Sequence, residues 1–212
     1  MEWYQAEIAR LLAKAPGRST RPKVVFYGSS TFTQWPGLTQ CFPQIEAVNL
    51  GFGGSTLAAC AWFFGQVVPP HRPDALLVYA GDNDLGDDRT AEEVVLFFDH
   101  LRASVAAALG ALPLCFVSIK PSPARRHLRG RIEYANAAIA QRVAAVGPPL
   151  YFLNLYDRML DGRGNPQPAL YAADGLHLSP LGYALWQQEI DAQLTHMRLQ
   201  NLPSAPDRPL LT

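Results

Sequence analysis

The chain has 212 residues, the length of one ordinary domain and enough to bury a self-sufficient core. Eighteen basic residues balance eighteen acidic ones, which argues against a nucleic-acid binder working through bulk charge. With 49% apolar and 17% charged residues, wholesale disorder is excluded. Cys41, Cys60 and Cys115 are too few and too scattered for a disulfide framework, and no C-x-x-C pair points to zinc. Met1-Glu2-Trp3-Tyr4 carries an acid early and lacks the apolar stretch of a secretory signal. The uncharged run from Ala103 to Ile119 is broken by Gly110 and Pro113, so it reads as a helix end and a strand rather than a membrane span. The expectation is a soluble, reduced, cytoplasmic protein.

In chain order, Trp3, Ile8, Leu11 and Leu12 fall at near-helical spacing, which predicts a helix within 3–14 ended by Pro16-Gly17. Val24 to Tyr27 is a short apolar run closed by Gly28-Ser29-Ser30, a strand entering a tight turn. Ala47 to Leu50 repeats the pattern and stops at Gly51-Phe52-Gly53-Gly54. Ala75 to Ala80 stops at Gly81-Asp82-Asn83-Asp84, Leu114 to Ile119 stops at Lys120-Pro121, and Leu150 to Leu155 is the fifth run. Between them lie helical patterns. Residues 91–109 place Val94, Val95, Phe98, Leu101 and Val105 on one stripe, with Thr90 as N-cap. Residues 132–146 and 181–194 are further helices, the last opened by Ser179 as N-cap and Pro180 at its first position.

Strands apolar on both faces, alternating with helices, predict a three-layer α/β/α sandwich around a doubly wound five-stranded parallel sheet. Ligands in such sheets bind beyond the carboxyl ends of the strands, which is where the unusual sequence falls. Residues 1–200 read as one domain. Residues 201–212, with three prolines and no periodicity, read as an extended tail.

Four short segments carry the chemistry. Gly28-Ser29-Ser30-Thr31 can stand a hydroxyl at the mouth of the sheet, and a serine there is equally good as a helix cap. Asn49-Leu50-Gly51-Phe52-Gly53-Gly54-Ser55-Thr56 offers bare backbone to a ligand, or is simply a loop; it is not the dinucleotide pattern G-x-G-x-x-G. Gly81-Asp82-Asn83-Asp84 puts a carboxamide at a strand end, where a turn dipeptide would serve as well. In Asp174-Gly175-Leu176-His177, an aspartate three residues before a histidine can hold Nδ1 and leave Nε2 as a base, although a lone loop histidine is commonly a surface residue. Their order and placement bind the four together.

On these segments the chain resembles the SGNH hydrolase superfamily, the GDSL-type lipases and esterases, from the first strand to the last helix. The resemblance implies a flavodoxin-like SGNH fold and a carboxylic-ester hydrolase working through an acyl-enzyme. Ser30 would be the nucleophile, His177 the base and Asp174 its orienting partner. The oxyanion hole would comprise the backbone N–H of Ser30, the backbone N–H of Gly54 and the Asn83 side chain, Gly54 following from a count of five residues from Asn49. The family's usual Gly-Asp-Ser is Gly28-Ser29-Ser30 here, and Ser30 keeps the nucleophile position. The implied partner is a small-molecule ester, with no metal or organic cofactor, no nucleic acid and no membrane span; the oligomeric state is open.

Two rival functions remain at this point: acyl transfer through the same triad, and a flavodoxin-like phosphate- or nucleotide-binding module with Gly28-Ser29-Ser30-Thr31 as its cradle. Trp35, Trp62, Phe63 and Phe64 are candidates for an acyl pocket or for helix core. Lys120 to His127 follows a strand end, where its cations either attract an anionic substrate or form a solvated loop. Tyr171 is expected to border the cleft.

Overall fold

Continuous apolar runs call for burial on both faces, and the computed structural model, described over residues 1–14, 20–197 and 199, makes them the strands of one sheet. The strands are β1 (Lys23–Gly28), β2 (Glu46–Gly51), β3 (Ala75–Tyr79), β4 (Leu114–Val117) and β5 (Leu150–Leu153). All neighbours pair in parallel, in the order β2-β1-β3-β4-β5. The chain steps from β1 outward to β2, then returns past β1 to β3, so β1 is the switch point where a doubly wound sheet opens a crevice.

The helical segments, in chain order, are α1 (Gln5–Leu12), α2 (Ser30–Thr33), α3 (Leu38–Cys41), α4 (Leu57–Val67), α5 (Asp82–Gly86), α6 (Ala91–Leu109), α7 (Arg129–Val146) and α8 (Pro180–His196). Alternation along β1 sorts them into layers. Val25 and Tyr27 join a core closed by α1, α4, α6 and α7. Val24 and Phe26 join one closed by α2, α3 and α8, with Trp186 wholly buried and edge-on to Tyr79 at 4.9 Å between ring centroids. This is the expected three-layer α/β/α sandwich around a five-stranded parallel sheet.

The helix starts follow their caps. Thr90 accepts from the Glu93 N–H, and the Glu93 carboxylate accepts from the Thr90 N–H, a capping box that fixes α6. Ser179 accepts from the Gly182 N–H and Pro180 leads α8. The helix read from 132 begins three residues earlier, at Arg129, because its first turn is polar and solvated. Pro16-Gly17 and the tail at 201–212 lie outside the described residues. No helix among the described residues is long and apolar enough to cross a membrane.

Candidate active site

The end of β1 makes a turn that only glycine permits. Gly28 has φ +137°, and a Cβ there would sit 2.0 Å from the Tyr79 carbonyl oxygen. The chain can therefore pass tightly over β3, where the Ser29 N–H donates to that same oxygen at 2.9 Å. The two serines that follow have different surroundings. Ser29 is buried, and its Oγ accepts from the Thr31 N–H at the start of α2. Ser30, half-buried, is the first residue of α2, a position whose N–H has no partner within the helix. Its Oγ lies 3.2 Å from His177 Nε2.

His177 comes from the loop before α8, which folds around Asp174. One carboxylate oxygen accepts the backbone N–H of Leu176 and of His177, both at 2.9 Å. The other lies 2.6 Å from His177 Nδ1. The carboxylate can only accept, so Nδ1–H is the donor, and in the neutral ring this tautomer turns the Nε2 lone pair to Ser30. The hydrogen bond from the His177 ring, followed by those from the two amides, holds the Asp174 carboxyl down to about 2, so it is ionised at neutral pH.

The segments after β2 and β3 close around this line. Asn49 ties its strand end to the serine turn: its amide donates to the Phe32 carbonyl at 2.7 Å and accepts from the Gly51 N–H at 2.9 Å. Beyond it, the Gly53 N–H is directed to the Glu7 carboxylate at 3.4 Å, whereas Gly54 is held from behind, its carbonyl accepting from the Tyr4 hydroxyl at 3.0 Å. Asn83, half-buried on α5, donates from Nδ2 to the Ser55 carbonyl at 3.0 Å and accepts at Oδ1 from Arg125 at 2.9 Å. The neighbouring Asp84 is fully buried and accepts the N–H groups of Leu57 and Ala58, capping α4. Burial pushes its carboxyl above the ordinary value, against the pull of those amides and of Arg89. Two sequence-distant loops are thus joined at both Asn83 and Asp84.

The structure brings Ser30, Asp174 and His177 into one hydrogen-bonded line and sets Asn83 against the loop that carries Gly54. It places several other residues elsewhere. Phe63 and Phe64 are core, Trp62 is 67% exposed, and Tyr171 is buried with its hydroxyl on the Pro121 carbonyl rather than bordering the cleft. The cations of 120–127 separate: Lys120 is buried on Asp82, Arg125 reaches Asn83, and Arg126 reaches Asn165. Trp35 lines an open groove of about 470 Å³ beside His177, together with Cys41, Leu178 and Tyr183. Among the described residues no cluster of three His, Cys, Asp or Glu could hold a metal.

A search of curated proteins finds no match. Among solved structures, a GDSL-like lipase from Bacteroides thetaiotaomicron superposes with a TM-score of 0.75 at 22% identity, over 92% of this chain and 97% of its own. A lipase/acylhydrolase from Enterococcus faecalis gives 0.69 at 22% identity, over 87% and 100%. A carbohydrate esterase family 3 protein from Talaromyces cellulolyticus gives 0.70 at 15% identity, over 86% and 100%. These likenesses establish the fold. The sequence itself matches the model of the GDSL-like lipase/acylhydrolase family over residues 8–185, from within α1 into α8 and across all four of the segments singled out above, and the chain belongs to that family.

Proposed function

We propose that the protein is a serine hydrolase that cleaves carboxylic esters. The observation that carries this reading is the line from Ser30 Oγ through both His177 ring nitrogens to the ionised Asp174. A hydroxyl becomes a competent nucleophile when a base removes its proton during attack, and Nε2 is within reach to do so. In acylation the Ser30 Oγ–acyl bond forms, the ester C–O bond breaks, and the Ser30 proton passes through His177 to the departing alkoxide. Water then attacks the acyl carbon and gives a proton to His177; the Ser30 Oγ–acyl bond breaks, the carboxylic acid leaves, and His177 returns the proton to Ser30 Oγ. Negative charge on the tetrahedral oxygen is met by the Ser30 N–H, the Gly54 N–H and the Asn83 amide, each such donor contributing about 10²–10³ in kcat. Because Glu7 already engages the Gly53 N–H, Gly54 is favoured over its neighbour as the second donor.

The family's name and the lipase and esterase names of the structural neighbours support ester cleavage. A phosphate-binding module would leave the Asp174–His177 pair without a purpose. The groove beside His177 gives room for an acyl or alcohol group. The test is hydrolysis of p-nitrophenyl esters from acetate to palmitate by the wild type, Ser30→Ala and His177→Ala. Activity that falls by about 10³ or more in both variants is expected. Unchanged turnover in either would overturn the assignment. Adding a primary alcohol to the same assay separates hydrolysis, the expected outcome, from acyl transfer, which would divert product to a new ester.

A further inference from the structure

Beside the proton path lies a charged group that takes no part in it. Asp82 is buried at the start of α5, directly before Asn83, and its Oδ2 accepts from Lys120 Nζ at 2.8 Å and from the Tyr79 hydroxyl at 3.2 Å. Arg125 Nη1 approaches the same oxygen to 3.5 Å while Nη2 donates to Asn83 Oδ1 at 2.9 Å. One guanidinium therefore grips two consecutive residues. It can lie this close because residue 86 is glycine; a Cβ there would stand 2.9 Å from Arg125 Cζ.

We propose that Arg125 is a positioning residue for ester hydrolysis, fixing the Asn83 amide so that its NH2 end serves as the oxyanion donor; this rests on the function proposed above. A guanidinium has donors and no acceptor, and the Ser55 carbonyl is an acceptor only. With Arg125 on one side and Ser55 on the other, the flipped amide would face donor to donor and acceptor to acceptor. Only one orientation survives. In it, one Nδ2 hydrogen is held by Ser55 and the other remains for the substrate oxygen.

Charge adds to orientation. Hydrogen bonds in series polarise one another, so a cation on Oδ1 makes the Nδ2–H a stronger donor. Burial pushes the Asp82 carboxyl up, but Lys120 and Arg125 outweigh it and hold the group below its ordinary value, ionised. The three-residue group thus holds two cations against one carboxylate, and its surplus positive charge is best compensated when an oxyanion forms beyond Asn83. The contribution is therefore larger in the transition state than in the ground state, which lowers kcat when lost and leaves KM nearly unchanged.

The test is steady-state kinetics on p-nitrophenyl acetate with Arg125→Met, Arg125→Lys, Asn83→Ala and the Arg125→Met/Asn83→Ala double variant. Arg125→Met is expected to lower kcat by about 10–30-fold with KM within about twofold, below the full loss of one donor. Arg125→Lys should recover part of the loss, since it restores charge without the fork. The double variant should be no slower than Asn83→Ala alone, because Arg125 acts through that amide. A double loss equal to the product of the single ones, or a raised KM with unchanged kcat, would overturn the proposal, the latter making Arg125 a binder of substrate. An unimpaired Arg125→Met beside an impaired Asn83→Ala would overturn it while leaving the oxyanion reading intact. An unimpaired Asn83→Ala would overturn both. If Arg125→Met does not fold, Gly86→Ala, which crowds the guanidinium and keeps its charge, is expected to lower kcat in the same pattern.

Discussion

The Tyr4 hydroxyl donates to the carbonyl oxygen of Gly54 at 3.0 Å, across a sequence separation of 50. The bond is one of a set that straps the N-terminal segment along β2. This strand is an edge, so the carbonyls on its open side have no neighbouring strand to pair with. Arg10 covers the Gly51 carbonyl at 2.9 Å and Lys14 the Asn49 carbonyl. The strap thus protects an edge and sets the loop that carries Gly54. Tyr4→Phe keeps the ring packed on Phe52 and Phe63 and removes only the hydrogen bond. A net loss of about 1 kcal/mol felt in the transition state predicts a fall in kcat of about 3–10-fold, with little change in KM. Steady-state kinetics beside a melting curve check this; an unchanged kcat would detach Tyr4 from the site.

The pH dependence follows from Asp174. Its pKa is depressed by the His177 ring first and by two backbone amides second. A depressed carboxyl stays ionised as pH falls until its own low pKa is reached, here about 2. Asp174 therefore does not titrate in the range of about pH 5–8 where imidazoles do. The acid limb of log kcat/KM is therefore expected not to exceed a slope of one in that range, since Asp174 takes up no proton there. A slope of two in that range would contradict the assignment. Asp174→Asn should lower kcat by about 10²–10⁴, because the carboxamide no longer fixes the tautomer.

Gly28 offers a stability test. Any Cβ meets the Tyr79 carbonyl oxygen at 2.0 Å, and the backbone sits at φ +137°. Neither atom belongs to a flexible side chain, so the clash cannot be relieved cheaply. Gly28→Ala is expected to cost at least about 2–4 kcal/mol, read as a shift in the urea midpoint. A midpoint within error of the wild type would show that the turn over β3 is built differently.

The three cysteines differ enough to report on the groove. Cys60 and Cys115 are buried, and burial pushes both thiols up, that of Cys115 to about 12. Cys41 is half-buried and lines the groove beside His177. In the native protein a thiol reagent should modify one cysteine quickly. A bulky maleimide on Cys41 should then slow the hydrolysis of long-chain esters more than that of the acetate. Equal effects on both would place the substrate outside this groove.

The strands were legible because burial on both faces leaves continuous apolar runs, as in Val24 to Tyr27, and α6 because its capping box is local. Ser30, Asn83, Asp174 and His177 were legible through their segments and the family those segments resemble. What sequence could not show depends on which strands become neighbours. Lys120 looks like a loop cation, yet lies buried on an aspartate 38 positions away. Asp84 caps a helix that begins 27 positions earlier. Arg125 appeared as one of a basic cluster, and only the sheet order brings it to Asn83 rather than to solvent. Trp62 and Tyr171 went the other way, one to solvent and one to core, because helix phase and loop path rather than residue type decide their burial.

Ser30, and not the adjacent Ser29, is expected to attack the acyl carbon. A fluorophosphonate ester, which traps an activated serine as a stable phosphonyl adduct, tests it on the intact protein by mass spectrometry with peptide mapping. The wild type and Ser29→Ala should each gain one adduct on Ser30, with the label prevented by His177→Ala and absent from Ser30→Ala. An adduct on Ser29, or labelling that persists in Ser30→Ala, would assign the nucleophile to another residue.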